Sequence, residues 1–149
     1  MIINFLDKSK KNNPKDKNEN LVKMLALLIH AAKIDENYSN EEKELIINFA
    51  EISSKEKLNR KQILSIINSA EEYEKNSNQI LEYTQEVKKM DSESKKLVLR
   101  FLWKIILSDD KSDIYENTLM RRICGLLYLP DKLSGEIKLD IIKEKKTNL

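Results

Sequence analysis

The sequence predicts an all-α fold, a bundle of about seven helices that contains two repeated helical hairpins. The chain of 149 residues holds only 2 Gly and 2 Pro, whereas sheets joined by tight turns need these residues often. Its apolar residues recur at the three- and four-residue spacing of amphipathic helices. Two Ser/Asp-x-x-Glu capping boxes, which mark helix N-termini, precede two of these segments. A length near 150 residues fits a single domain.

The two ends of the chain are basic and are predicted to flank one helical domain. Residues 1–17 are predicted to form a flexible arm, in which Pro14 disfavours a helix. The helical domain spans 18–143, and a basic tail follows at 144–149. The whole chain has a net charge of only +2, and the body between its ends is slightly acidic. A duplex-binding protein would need a basic face on its body, so nucleic acid is not expected as a partner.

Seven helices are predicted from the apolar spacing and from N-terminal capping residues, with Asn59 before the third helix and Asp91 or Ser92 before the fifth. The first is apolar enough to be mostly buried. The fifth, which carries Phe101 and Trp103, is predicted to be the central core helix. The ranges in chain order are about 19–34, 40 onward, 60–74, 78–89, 92–108, 114–128 and 131–143.

No apolar stretch of the sequence is long enough to cross a membrane. The most apolar run, 97–107, is interrupted by Arg100 and Lys104 and is shorter than the roughly 20 residues that a span needs. The N-terminus has its apolar residues before its lysines, which is the reverse of a signal peptide. The sequence therefore predicts a cytoplasmic protein with no membrane span.

An acidic pattern occurs twice, at a constant offset of 74 residues. It reads Asp-x3-(Ser/Asp)-x2-Glu followed by an apolar pair. Each copy follows a buried helix and opens an amphipathic one, which predicts two helical hairpins related by a pseudo-two-fold axis. The copies contain, in order, Asp35, Ser39 and Glu42, and then Asp109, Asp113 and Glu116.

Capping alone explains the Ser/Asp and Glu positions of each copy, and it remains one interpretation. It does not explain Asp35 and Asp109, which lie at the end of the preceding helix. A carboxylate there is disfavoured by roughly 0.3–1 kcal/mol, because the helix C-terminus carries partial negative charge. A bound cation would offset this cost, and oxygen ligands select Ca²⁺ or Mg²⁺. The six residues of the two copies are therefore candidate metal ligands, although neither copy is an EF-hand loop.

Enzymatic chemistry is not expected. The chain has one histidine, His30, and one cysteine, Cys124, and no third group can be named that would orient them as a catalytic pair. A single cysteine also excludes an intramolecular disulfide and a cysteine-rich zinc site. No motif for an organic cofactor is present.

The repeated pattern resembles the TerB family of tellurite-resistance proteins, and the related amino-terminal domain of the DjlA-type membrane co-chaperones. Members carry an Ala-x-Ala-Asp-Gly-x-(Ile/Leu)-(Asp/Ser)-x-x-Glu signature twice. The first copy matches over 31–42 and the second, more closely, over 103–123. Glu36 and Asp110 stand where the family has Gly, and Ser39 stands in place of the carboxylate that the second copy has at Asp113.

The resemblance implies a bacterial bundle of about seven helices that serves tellurite and stress resistance without enzymatic activity. It also implies that the acidic turns bind a divalent metal, Ca²⁺ in particular. The alternative is a helical adaptor module of a membrane-associated or chaperone complex, in which the acidic turns are only caps and no metal binds. Other proteins are the expected partners in both cases, and nothing in the sequence sets the oligomeric state.

Overall fold

A computed structural model describes residues 14–33, 38–54, 57–76, 80–109 and 114–147, with the backbone alone at 14–20, 81, 86, 109 and 114–116. Within these ranges the chain forms seven α-helices, a 3-10 turn and no strand, which confirms the all-α bundle. The helices are α1 Pro14–Ala32, α2 Asn40–Ser53, α3 Arg60–Asn76, α4 Ile80–Lys88, α5 Ser92–Ile106, α6 Ile114–Leu126 and α7 Asp131–Thr147, and the 3-10 turn is Leu107–Asp109.

The helical domain extends beyond its predicted boundaries at both ends. α1 begins at Pro14, so residues 14–17 of the predicted flexible arm are helical. Proline fits the first position of a helix, because its missing N–H would have no intrahelical partner there. α7 continues to Thr147, so the predicted tail is helical for most of its length. Residues 1–13 and 148–149 lie outside the described residues.

Polar contacts hold the last turns of α7 against α5. Glu144 pairs with Arg100 of α5, and the Lys145 ammonium donates a hydrogen bond to the carbonyl of Leu107. Cations near the C-terminal carbonyls of a helix are favourable. These contacts explain why residues 144–147 are helical, although their charge pattern predicted a solvated tail.

The predicted helix N-termini at α3 and α5 are confirmed by their hydrogen bonds. Asn59 accepts from the backbone N–H of Gln62 at 2.8 Å, and the Gln62 side chain accepts from the Asn59 N–H at 2.9 Å. Asp91 accepts from the N–H of Ser94 at 2.7 Å. Each bond satisfies a backbone donor that the first turn of a helix leaves without an intrahelical partner.

The core is centred on α1, which packs against α2, α3, α4 and α5. Residues 25–29 of α1 are each fully buried, as expected for a helix that is apolar on every side. α5 is the second core helix and contacts α2, α4 and α7 as well. The prediction that α5 is the central core helix is thus only partly right, because α1 shares this central position.

Two side chains of α5 attach the outer helices. Phe101 meets Phe49 of α2 edge to face, with ring centroids 5.3 Å apart. Trp103 donates a hydrogen bond from Nε1 to Ser134 Oγ of α7 at 2.9 Å. α1 and α2 pack together as predicted for the first hairpin, whereas α6 packs against α4 and α7. Among the described residues, the first hairpin therefore packs directly, and α6 of the second is held by α4 and α7.

Candidate functional site

The first acidic motif contains a complete capping box at the start of α2. The Glu42 N–H donates to Ser39 Oγ at 3.2 Å, and the Ser39 N–H donates to Glu42 Oε1 at 2.9 Å. Glu42 is only 5% exposed. Both side chains thus act as caps, as one interpretation of the sequence predicted. Their role as metal ligands stays a prediction.

Removing this cap should destabilise the protein without disturbing its core. We expect Ser39→Ala to lower the free energy of unfolding by about 1 kcal/mol, because it deprives the Glu42 N–H of its acceptor. Urea denaturation would measure the change. Ser65→Ala, at an exposed position inside α3, is the matched control and should change stability by less than about 0.5 kcal/mol. An equal loss in both variants would contradict a capping role.

The other predicted ligands are described only in part. Asp109 is the last residue of the 3-10 turn and Glu116 lies in the first turn of α6, and only their backbones are described. Asp35 and Asp113 lie outside the described residues. Among the side chains that the structure does describe, no group of three His, Cys, Asp or Glu residues is placed to hold a metal ion.

One groove, with a volume of about 850 Å³, lies between α2, α5 and α7 and is lined by residues of the first motif and by the residue that precedes the second. The first motif contributes Asn40 and Glu41, from the N-terminal turn of α2. Ser108, which immediately precedes the second motif, also lines the groove. None of the described lining residues is one of the six predicted ligands. α2 and α5 also pack directly against each other. The fold thus brings the α2 end of the first motif and the α5 end of the second to the same surface.

Two carboxylates, those of Glu71 and Glu42, lie near the Tyr38 hydroxyl beside the first motif. Burial raises the pKa of the Tyr38 hydroxyl well above its ordinary value, and the nearby carboxylates of Glu71 and Glu42 raise it further. The carboxylates repel the negative charge that Tyr38 would carry when ionised, and the same charges would attract a cation. Lys43 provides a partial counter-charge, with its Nζ 3.5 Å from Glu71 Oε2.

A buried ionic cluster joins the end of α1 to α3, just before the first motif. Glu74 of α3 is 9% exposed. Its Oε1 lies 2.7 Å from Lys33 Nζ, and its Oε2 lies 3.3 Å from His30 Nδ1. The Tyr83 hydroxyl of α4 donates to the Glu74 carbonyl at 3.2 Å. Sequence reasoning missed this cluster, which assigns His30 a structural role.

Cys124 is fully buried and has the character of a structural thiol. Burial raises the pKa of the thiol, and a hydrogen bond with Ser134 lowers it by a smaller amount. The thiolate is the reactive form of cysteine, so a raised pKa makes the group less nucleophilic. Cys124 therefore contributes packing between α6 and α7.

None of the helices that the structure describes combines the length and the apolar character needed to cross a bilayer.

The fold and the paired motifs define an all-α bundle protein with a duplicated acidic helix–turn element. The family model described as tellurite resistance protein TerB matches residues 21–139. The chain therefore belongs to the TerB family, and the resemblance seen in the sequence is confirmed. Searches of curated proteins and of solved structures gave no match.

Proposed function

We propose that this TerB-family protein serves tellurite or related stress resistance by binding a divalent cation, Ca²⁺ or Mg²⁺, and not by catalysis. Carboxylates of the second motif, Asp109, Asp113 and Glu116, are the main ligands, with Asp35 of the first motif added to them. Carboxylate oxygens are the ligands that these hard cations prefer.

The observation that carries this proposal is the shared groove. Asn40 and Glu41 follow the first acidic turn and Ser108 precedes the second, and all three line the same surface. Two turns joined to neighbouring helix ends can supply ligands to one ion, which neither turn could surround alone. The negative surroundings of Tyr38 support the same assignment, because they favour positive charge near the first turn.

The capping box narrows the proposed ligand set. Ser39 Oγ and one oxygen of Glu42 are already bonded to backbone N–H groups. We assign these two residues the task of fixing the start of α2 next to the turn. A cation that binds nearby would then depend on the second motif and on Asp35.

Titration calorimetry with Ca²⁺, Mg²⁺ and Mn²⁺ tests the proposal. We expect the wild-type protein to bind at least one of these ions with a Kd below about 1 mM, within the range of known calcium modules. Asp109→Ala combined with Asp113→Ser should weaken binding at least about tenfold. Serine at position 113 keeps a good N-cap residue before α6, so the variant removes charge without removing the cap.

Glu72→Ala combined with Glu136→Ala is the matched control. It removes the same number of negative charges from exposed positions on α3 and α7 and should leave ion affinity within about twofold. No heat of binding up to millimolar ion, or equal affinity in the wild type and the Asp109/Asp113 variant, would refute the proposal. A rise in melting temperature with added ion provides a second readout, because a ligand of the native state stabilises it.

The adaptor alternative is favoured by the observed capping box, which explains two of the three residues of the first motif, Ser39 and Glu42, without an ion. It predicts capture of a partner protein that a chelator does not affect. It also predicts an exposed apolar patch. The large apolar side chains exposed in the described part of the chain lie on three separate segments, at Ile52, Tyr128 and Leu139.

A further inference from the structure

The groove between α2, α5 and α7 has an acidic wall built by one face of α2. Glu41, Glu44 and Glu51 line it together with Asn48. Their spacing of three, four and three residues places them on one side of the helix. Glu41 and Glu51 are exposed, and no basic residue in the described part of the chain forms an ion pair with either.

The pairing of Glu44 leaves most of this acidic character in place. Arg60 Nη2 lies 2.8 Å from Glu44 Oε1, but both side chains are about 60% exposed. Exposed pairs of this kind contribute little, so a competing cation can replace Arg60 at small cost.

The opposite wall contains cations that are already engaged. Lys145 is bonded to the Leu107 carbonyl, and Lys104 lies 4.7 Å from the centroid of the Phe101 ring. Glu144, beside them, pairs with Arg100. The groove is lined by four carboxylates and two ammonium groups. Arg60 and Arg100 pair with two of the carboxylates, so the remaining negative charge lies on the α2 wall, at Glu41 and Glu51.

The base of the groove is apolar. Leu45 is half-buried and Ile141 is 2% exposed, and both contribute to the lining. A volume of about 850 Å³ is near the upper end of the roughly 300–1,000 Å³ of ligand clefts. An open groove with an apolar base and an acidic wall is complementary to a surface that is apolar in its centre and basic at its edge.

We propose that this groove binds a basic amphipathic helix of a partner protein, with Glu41 and Glu51 contacting its lysine or arginine side chains and Leu45 contacting its apolar stripe. Ten residues separate the two glutamates, or about 15 Å along α2. Basic side chains on a second helix repeat at the same pitch, so several pairs can form in one register. Binding of an amphipathic helix in a groove is a common recognition mode.

Glu41 and Glu51 are not among the proposed metal ligands, although Glu41 lines the same groove that supports the cation site. Binding should therefore persist in EDTA, and each proposal can fail without the other.

Fluorescence anisotropy tests whether the groove binds a basic amphipathic helix. The probe is a labelled 14-residue Lys/Leu/Ala amphipathic peptide, in 0.15 M salt and EDTA. We expect the wild-type protein to bind this peptide and not a peptide with Glu in place of Lys. Glu41→Gln combined with Glu51→Gln should weaken binding about fivefold, as expected for the loss of two exposed ion pairs. Glu72→Gln combined with Glu136→Gln, the same charge change away from the groove, should stay within twofold.

Equal weakening in both double variants would show general charge attraction and overturn the proposal, as would unchanged binding in the Glu41/Glu51 variant. Displacement of the peptide by spermine at the peptide's own affinity would indicate a site for small polycations and also overturn it. A photo-crosslinker on the apolar face of the peptide should label α2 or α7 near Leu45 and Ile141, and labelling confined to other helices would contradict the assignment.

Discussion

Phe101→Ala should lower the free energy of unfolding by about 3–5 kcal/mol, the usual cost of truncating a buried aromatic side chain. Phe101 is 2% exposed and its ring packs edge to face on Phe49. The substitution leaves a cavity at the contact between α2 and α5. Because a domain of this size is stable by only about 5–15 kcal/mol, the melting temperature should fall by about 10 °C.

Ile52→Ala is the control for Phe101→Ala. Ile52 also belongs to α2 but is 55% exposed, so its truncation should cost less than about 1 kcal/mol. Denaturant unfolding followed by circular dichroism measures both variants. A loss below about 1.5 kcal/mol for Phe101→Ala would mean that α2 and α5 are not tightly packed, and the groove between them would then lack a rigid wall.

Lys33→Met should lower the free energy of unfolding by about 1–2 kcal/mol. It leaves the carboxylate of Glu74, which is 9% exposed, with His30 as its remaining ionisable partner. A buried carboxylate that loses one of its two ionisable partners is destabilised. The expected loss of stability is small because the Lys33 side chain is 40% exposed. Methionine keeps the aliphatic stem, so the variant tests the charge and not the packing.

A second substitution distinguishes a lost ion pair from a general disturbance of α1. Adding Glu74→Leu to Lys33→Met should recover most of the lost stability, because an apolar side chain of similar volume needs no partner. Lys61→Met, at an exposed position of α3, should change stability by less than about 0.5 kcal/mol. Additive losses in the double variant would contradict the pairing, since a contacting pair gives a coupling energy in such a cycle.

The helices could be predicted because their signals are local. Apolar spacing and capping residues such as Asn59 and Asp91 act within one or two turns, and all seven helices formed close to the predicted positions. The helix boundaries were harder to predict where one residue type is compatible with two structural positions. Pro14 disfavours a helix interior but suits the first position of a helix. Which of the two applies depends on whether the residues before it are helical, which the sequence pattern did not show.

The contacts of the candidate site depend on tertiary packing that one sequence does not encode locally. Glu74 lies 41 residues from Lys33, so no periodic pattern connects them. The groove likewise needs three helices that are distant in the chain. The motif repeat did indicate which turns to compare, and Ser39 with Glu42 carried a cap signal that the structure confirms. Their place on a surface shared with Ser108 follows from the packing of α2 on α5.

The fully buried segment of α1 has a consequence for biosynthesis. Residues 25–29 have no exposed surface in the folded protein, yet one of the helices that cover them, α5, ends at Ile106. At roughly 5–20 residues per second, a ribosome needs several seconds to make the intervening chain. Until α5 is made, this apolar segment of the nascent polypeptide lacks part of its native cover, so it is the segment that a chaperone would be expected to shield.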